Sequence, residues 1–500
     1  MSEEGEANVD EASSAKAPSE PPTDPPESSV EATGGHAPRR PWLVPLVIWL
    51  ICAAAYSLTL GDRLFQTSPD NHYAHLANSW LEGRLDHGGD PPGRNDWACF
   101  DAQEQDLCPN NRFRFSDQER YKWYVSFPPF PAVVMLPAVA ALGVESVPDR
   151  FIWALIGALG PMCLFLLLRR LRPLTGRSLR EELALSALFA FGSVFFFVAV
   201  QGTVWFAAHC VAVPLLALYA YFAVGARAPI RAGLMLGLAF LTRPTTALLC
   251  LFFAIEAMRR HQQANENADG GSAGDGATPE TGRAWYVTAL RFARNVSWGP
   301  AILSGARFAA PILVCGGVAM WMNDARFADP FEFGHTYLQI GWRTRIERWG
   351  LFNYHFVSKN LAVFFGGLPW LSVHDPHVMI SRHGLAFWVT TPFLLMAPFA
   401  KRVTPTLVAC WAAILPVMAL NLMYQNSGWI QFGYRFSLDY LVLVFAVLAL
   451  TKRPFRIGFA LLLLWSIAIN TFGAITFDRA GRYYDNDGSQ ERLFQPDGRT

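Results

Sequence analysis

Asp70, Arg243, Arg435 and Lys122 are the side chains of this sequence whose types and positions could do chemistry. Asp70 lies in Ser68-Pro69-Asp70-Asn71-His72-Tyr73-Ala74-His75, just beyond the first long apolar segment. A carboxylate held at a membrane edge can take a proton from an incoming hydroxyl or amine, and that task needs reach more than an unusual pKa. The plainer alternative is a first-turn carboxylate that complements a helix dipole. Arg243 sits at the join of two short apolar segments, where it must pair, reach the surface or bind an anion such as phosphate. Arg435 stands four residues before Asp439, the spacing of a helix-surface ion pair, although an anionic ligand would serve it as well. Lys122 precedes Pro128-Pro129 and has a similar claim. His72, His75 and Glu82 do not follow a recognised ligand spacing, so no metal is expected. Neither a phosphate-cradling glycine loop nor a dinucleotide fingerprint occurs, and nothing points to nucleic acid.

The elements that must position these groups are apolar helices. Of 500 residues 52% are hydrophobic and only 16% charged, against about 25% charge in ordinary soluble proteins. Several apolar runs approach the roughly 20 residues that cross a bilayer, which predicts an all-α polytopic membrane protein. Ser68 as cap and Pro69 in the first turn predict a helix that starts there, with Leu76, Trp80 and Leu81 on a lipid-side face. Residues 1–40 are acidic and rich in Pro, Ser, Glu and Ala, which predicts a disordered tail rather than a signal peptide. Basic clusters mark cytoplasmic loops. Placing Arg39-Arg40, Arg169–Arg172, Arg259-Arg260, Lys401-Arg402 and Lys452-Arg453 inside gives about eleven spans over 41–474. The polar outer loops are then 61–150 and 323–383, with a flexible inner linker at 259–283 and an outer tail at 475–500. The Pro-punctuated run Ser126 to Gly143 reads as a surface or re-entrant helix, with a full span as the alternative. Cys99 and Cys108, in a polar loop, would be able to join in a disulfide if that loop is outside the cytoplasm.

The order of an outer Ser-Pro-Asp70-Asn-His-Tyr-Ala-His, an outer Val125-Ser126-Phe127-Pro128-Pro129, a span ending in Arg-Arg, and Leu241-Thr242-Arg243-Pro244 resembles the GT-C superfamily of polytopic glycosyltransferases. The similarity is to the bacterial branch related to protein mannosyltransferases and aminoarabinose lipid A transferases. That resemblance implies a GT-C-like bundle with outer juxtamembrane helices in its first large loop. It implies a polyprenyl-phosphate-linked sugar donor and an envelope lipid, glycan or protein acceptor. Asp70 would be the catalytic base of an inverting displacement, and Lys122, Arg243 and Arg435 would hold the donor phosphate, with no cofactor. It further implies a bacterial inner membrane, a cytoplasmic N-terminus and an active site on the periplasmic face. Two departures stand out: Asn71 follows Asp70 where the family often has a second acid, and Lys122 is several residues from Pro128. A lipid-linked sugar transporter or flippase is the alternative function, but the first loop has no later repeat and the polar residues gather in outer loops.

Overall fold

The computed structural model describes residues 42–93, 95–109, 117–268 and 292–484, without the side chains of 263–268. The 1–40 tail, residues 269–283 of the linker and the tail beyond 484 lie outside the described residues. Residues 259–268, expected to begin that linker, instead continue the Cys250–Ala268 helix.

The chain is an integral membrane protein, mostly helical. Six helices among the described residues are long and apolar enough to cross a bilayer: Leu43–Arg63, Asp149–Thr175, Val204–Ala226, Trp298–Phe327, Pro405–Met423 and Ile457–Thr476. Their outer faces carry bare apolar side chains such as Leu313 (72% exposed) and Ile457 (80%), a surface suited to lipid. The run expected as a surface or re-entrant helix forms Phe130–Leu142, which at about 20 Å falls well short of a roughly 30 Å hydrocarbon core. The remaining expected spans take other forms: Pro229–Phe240 and Leu441–Leu450 are short apolar helices. The expected span from Leu183 to Val200 breaks into Leu179–Phe191 and Phe195–Ala199. Residues before Lys401 form only a four-residue helix, Phe387–Thr390, and a 3-10 turn at Pro392–Met396.

The basic clusters collect at one end of the bundle. Arg177, beside the capping box of Leu179–Phe191, donates to the carbonyls of Leu448, Ala449 and Arg453. Glu256, buried at the same end, accepts from Gly225 N, Arg259 Nη2 and Thr406 Oγ1. The opposite ends of these helices therefore converge elsewhere, and that is where the candidate residues lie. Gly233 and Gly237, spaced G-x-x-x-G, let Pro229–Phe240 press against Trp298–Phe327. A Cβ on Gly233 would come within 2.0 Å of the Phe308 carbonyl oxygen. This close packing fixes the helix that delivers Arg243.

A small sheet covers the convergent end. β1 (Trp97–Asp101) pairs antiparallel with β2 (Asp106–Leu107) and β3 (Tyr121–Val125), in register Cys99↔Trp123. A Cys99–Cys108 disulfide ties β1 to the turn after β2, and Arg120 grips Asp101 through Nε and Nη2 at 2.8–3.0 Å. The segment after Trp298–Phe327 docks on this sheet, with Cys99 N donating to Tyr337 O (2.9 Å) and Gln339 Nε2 to Cys108 O (3.2 Å).

Candidate functional site

Asp70 is not inside a helix. The helix spans His72–Leu81, with Asn71 at its start and no side-chain cap. Ser68, expected to cap it, turns to Asp149: its backbone N donates to Oδ1 (2.8 Å) and its hydroxyl to Oδ2. Both donors of Ser68 go to this one buried carboxylate, which holds the residue away from the helix start at His72. Asp70 is left in the linker, its backbone oxygen accepting from Val204 N (3.0 Å). The carboxyl side chain is thus free to face inward. Leu76, expected on a lipid-side face, is buried in the core, while Leu81 is exposed.

Asp70 lines a cavity of about 670 Å³ at the convergent end, together with Asp96, Trp205, Arg243, Tyr424 and Arg435. Burial holds the Asp70 carboxyl above its ordinary value; His72 pulls it back down, and Asp96 and Asp478 push it up. His72 is itself buried and held below its ordinary value by that burial. It stacks on Trp97, and Nε2 donates to Asn95 O at 2.8 Å. His75 is pushed down to about 4 by burial and then by His87, whose Nε2 is 3.4 Å from His75 Nδ1. These histidines are packed, neutral scaffold. Among the described residues no group of three His, Cys, Asp or Glu is placed to hold a metal ion. Below pH ~6.5 an unfolded chain protonates His75 and the folded one does not. Stability is therefore present above that pH and lost as pH falls toward about 4; thermal unfolding followed across this window checks it.

The two arginines differ in how they are compensated. Arg243 does not face an open ligand with its full charge. It forms a two-point pair with Asp439, Nη2 to Oδ2 at 2.9 Å and Nε to Oδ1. Thr245 Oγ1 (2.9 Å) and Asn421 Nδ2 (3.1 Å) also donate to Asp439 Oδ2. The spacing also allowed an Arg435–Asp439 ion pair; the chain there is a 3-10 turn, Arg435–Asp439, and Arg243 takes the carboxylate. Asp439→Asn would leave the half-buried Arg243 guanidinium without its carboxylate and cost about 1–3 kcal/mol of stability, read as a lowered thermal midpoint in detergent.

Arg435 is 5% exposed, and among the described residues no carboxylate pairs with it. Nη1 donates to the carbonyls of Gly428 (2.6 Å) and Ile430 (2.9 Å), and the guanidinium lies over the rings of Phe206 and Phe436. Nε is buried without a partner. Its backbone N donates to Gln431 Oε1 (3.0 Å), while Gln431 Nε2 donates to the carbonyls of His383 and Ser427. A buried cation with no carboxylate beside it and an unpartnered Nε has the chemistry to take an anion. The N-terminus of Val204–Ala223 borders the same cavity through Thr203 and Trp205 and adds its positive end.

Lys122 is not among the cavity's lining residues; it sits in β3 with Nζ 3.7 Å from Asp86. A half-exposed pair of this kind is worth about 0–1 kcal/mol. Lys122→Ala is expected to change kcat/KM by less than about threefold, by initial-rate assay with the proposed donor.

The cavity also contains acids that the sequence reading passed over. Asp96 adopts φ +58, a left-handed conformation that Asp tolerates better than most residues, and accepts from Trp205 Nε1 at 2.7 Å. Its only sequence signal is position, at the end of the Gly/Pro-rich run from Gly88 and just before Trp97. Asp478 lines the cavity after the last helix and pairs with Arg63.

No family model and no curated protein matches this chain. Two solved structures are similar to it. One is ArnT from Cupriavidus metallidurans bound to undecaprenyl phosphate: 14% identity, 81% of this chain and 59% of that one, TM-score 0.42. The other is the Archaeoglobus fulgidus oligosaccharyltransferase tethered to an acceptor peptide: 16% identity, 89% of this chain and 56% of that one, TM-score 0.42. The chain spans less than two thirds of either, and likenesses this loose carry no chemistry across.

Proposed function

We propose that this protein is a membrane glycosyltransferase that moves a sugar from a polyprenyl-phosphate donor to an envelope acceptor bearing a hydroxyl or amine. The observation that carries this reading is one cavity, among helix ends, lined by both a free carboxylate, Asp70, and an uncompensated guanidinium, Arg435. The first suits a base and the second a phosphate. Arg435, supported by the helix N-terminus at Thr203 and by the outer edge of Arg243, holds the donor phosphate. Asp70 takes the acceptor proton as the acceptor oxygen or nitrogen bonds to the anomeric carbon. The carbon–oxygen bond to phosphate breaks on the opposite face, its electron pair leaves with the polyprenyl phosphate, and the anomeric centre inverts. A phosphate already paired with guanidinium needs no acid to depart. Aromatic side chains such as Trp205, Phe206 and Tyr424 give the cavity flat apolar walls that suit a sugar face and the first prenyl units.

The Cys99–Cys108 disulfide lies in the sheet that covers this cavity. Disulfides persist in oxidising compartments, which supports a site on the outer face of a bacterial inner membrane. The basic clusters at the other end fit a cytoplasmic side.

Transfer of labelled sugar from a polyprenyl phosphate to an envelope extract by the purified protein tests the reading. Movement of intact donor between leaflets without transfer would instead support a flippase. The rate should also fall on the acid side, because only the ionised Asp70 accepts a proton. The midpoint is expected above the ordinary aspartate value of 3.8, because burial raises this carboxyl.

A further inference from the structure

The segment between the Val357–Gly366 helix and the Phe387–Thr390 helix forms a small antiparallel hairpin, β4 (Trp370–Leu371) with β5 (Val378–Met379). The Ser372 amide donates to His377 O (3.0 Å) and closes its end. The hairpin bares its apolar side chains: Trp370 is 44% exposed, Leu371 80% and Val373 86%. An isolated two-stranded hairpin is at best marginally stable in water, so one that keeps its largest apolar groups outside the protein needs another apolar medium.

We infer that this hairpin is an interfacial anchor, seated in the leaflet on the cavity side with Leu371 and Val373 turned into the acyl boundary and Trp370, on the opposite face of β4, at headgroup level. The occupant of the apolar face is lipid because that face is continuous with the lipid-facing wall of the bundle. Trp465, exposed on the spanning helix Ile457–Thr476, donates through Nε1 to Val389 O (2.9 Å). Trp388 then donates to Phe365 O (2.8 Å), and Ala386 N to Gly367 O (2.7 Å), directly before the hairpin. On its far side Ile380 N donates to Tyr483 O (2.8 Å), just past the end of the same spanning helix. The hairpin is thereby held at the level where that helix leaves the bilayer. Depth follows from hydrogen bonding. Its two open strand edges cannot be satisfied in hydrocarbon, so the backbone rests among headgroups while the side chains reach below them. His374, Asp375 and His377 at the turn are the polar groups such a setting needs, and Asp375 lies 3.8 Å from Arg482.

The anchor also bears on the cavity. The chain leaving β5 lies beside the Arg435 loop: Gln431 N donates to Arg382 O (3.0 Å) and Leu385 N to Phe432 O (2.7 Å). Seating the hairpin sets that loop at headgroup depth, where a lipid phosphate resides. This last link rests on the proposed function, whereas insertion itself does not.

The test is depth-dependent quenching. Val373→Cys, a site so exposed that folding should not depend on it, is labelled with an environment-sensitive fluorophore in the full chain and placed in phospholipid nanodiscs. Leu313→Cys, on a lipid-facing helix wall, gives the deep reference. The expected result is that nitroxide at the headgroup or upper acyl chain quenches the Val373 label several-fold more than aqueous iodide does. Deep-chain nitroxide should quench the Leu313 label best. Strong iodide quenching at Val373 with no response to nitroxide lipid overturns the proposal. So does protection from both quenchers, since a protein partner or second copy would then cover the face. None of these readings uses transfer activity, so failure here leaves the glycosyltransferase proposal untouched, and failure of that proposal leaves insertion standing.

Discussion

Asn in place of Asp70 is expected to lower turnover by about 10²–10⁴-fold, the range contributed by a positioned general base, while leaving affinity for polyprenyl phosphate unchanged. The separation of effects follows from how Asp70 is held. Its backbone oxygen bonds Val204 N, and neighbouring Ser68 is anchored on Asp149, so the linker stays in place without the carboxylate. The amide is nearly isosteric but cannot accept a proton at neutral pH. The acid limb of the pH profile should vanish with it. Single-turnover transfer from a pre-bound donor measures the chemical step, and direct binding of polyprenyl phosphate measures the rest. Full turnover by Asp70→Asn would sink the mechanism; Asp96, a second carboxylate of the cavity that accepts from Trp205, would then be the base to test.

The fold was legible wherever one physical signal dominated. Long apolar runs gave the principal spans, and the basic clusters at Arg169–Arg172, Arg259-Arg260 and Lys452-Arg453 do mark ends that gather together. Hydropathy alone could not show that Leu183–Val200 breaks after Phe191, since a buried helix pair and one straight span have the same composition. It also could not show that the residues before Lys401 wind into short turns. At the site, competition between partners separates spacing in sequence from pairing in space. Ser68 was a sound cap candidate until Asp149, distant in sequence, offered a better bond. Asp439 was four residues from Arg435 and still paired with Arg243, because the chain there is a 3-10 turn and not an α-helix. Lys122 lies in the covering sheet but answers to Asp86 rather than to the cavity. Asp96 carried no motif at all, only a place at the end of a glycine- and proline-rich loop.

That exchange of partners makes Arg435, and not Arg243, the arginine whose loss should read cleanly as lost phosphate binding. Removing Arg243 also strands Asp439, a buried carboxylate, so its effect mixes function with stability. Arg435 has no carboxylate to strand among the described residues; its Nη1 bonds end on carbonyls of its own loop. Arg435→Met keeps the apolar contact with Phe206 and Phe436 and removes only the charge and its donors. It is expected to cut kcat/KM for the donor by about 10²–10³-fold, the usual cost of one preorganised donor group, with a thermal midpoint equal to or above that of the parent. A raised midpoint has a physical basis, since replacing a buried uncompensated charge by an apolar side chain relieves a desolvation penalty. Arg435→Lys is the sharper comparison. An ammonium keeps the charge but cannot bond two carbonyls and a phosphate in the plane of a guanidinium, so it should recover only part of the loss. A lysine variant with full activity would mean that the site needs a charge and not the fork. A methionine variant with full activity would remove Arg435 from the phosphate altogether and leave its uncompensated burial without a purpose.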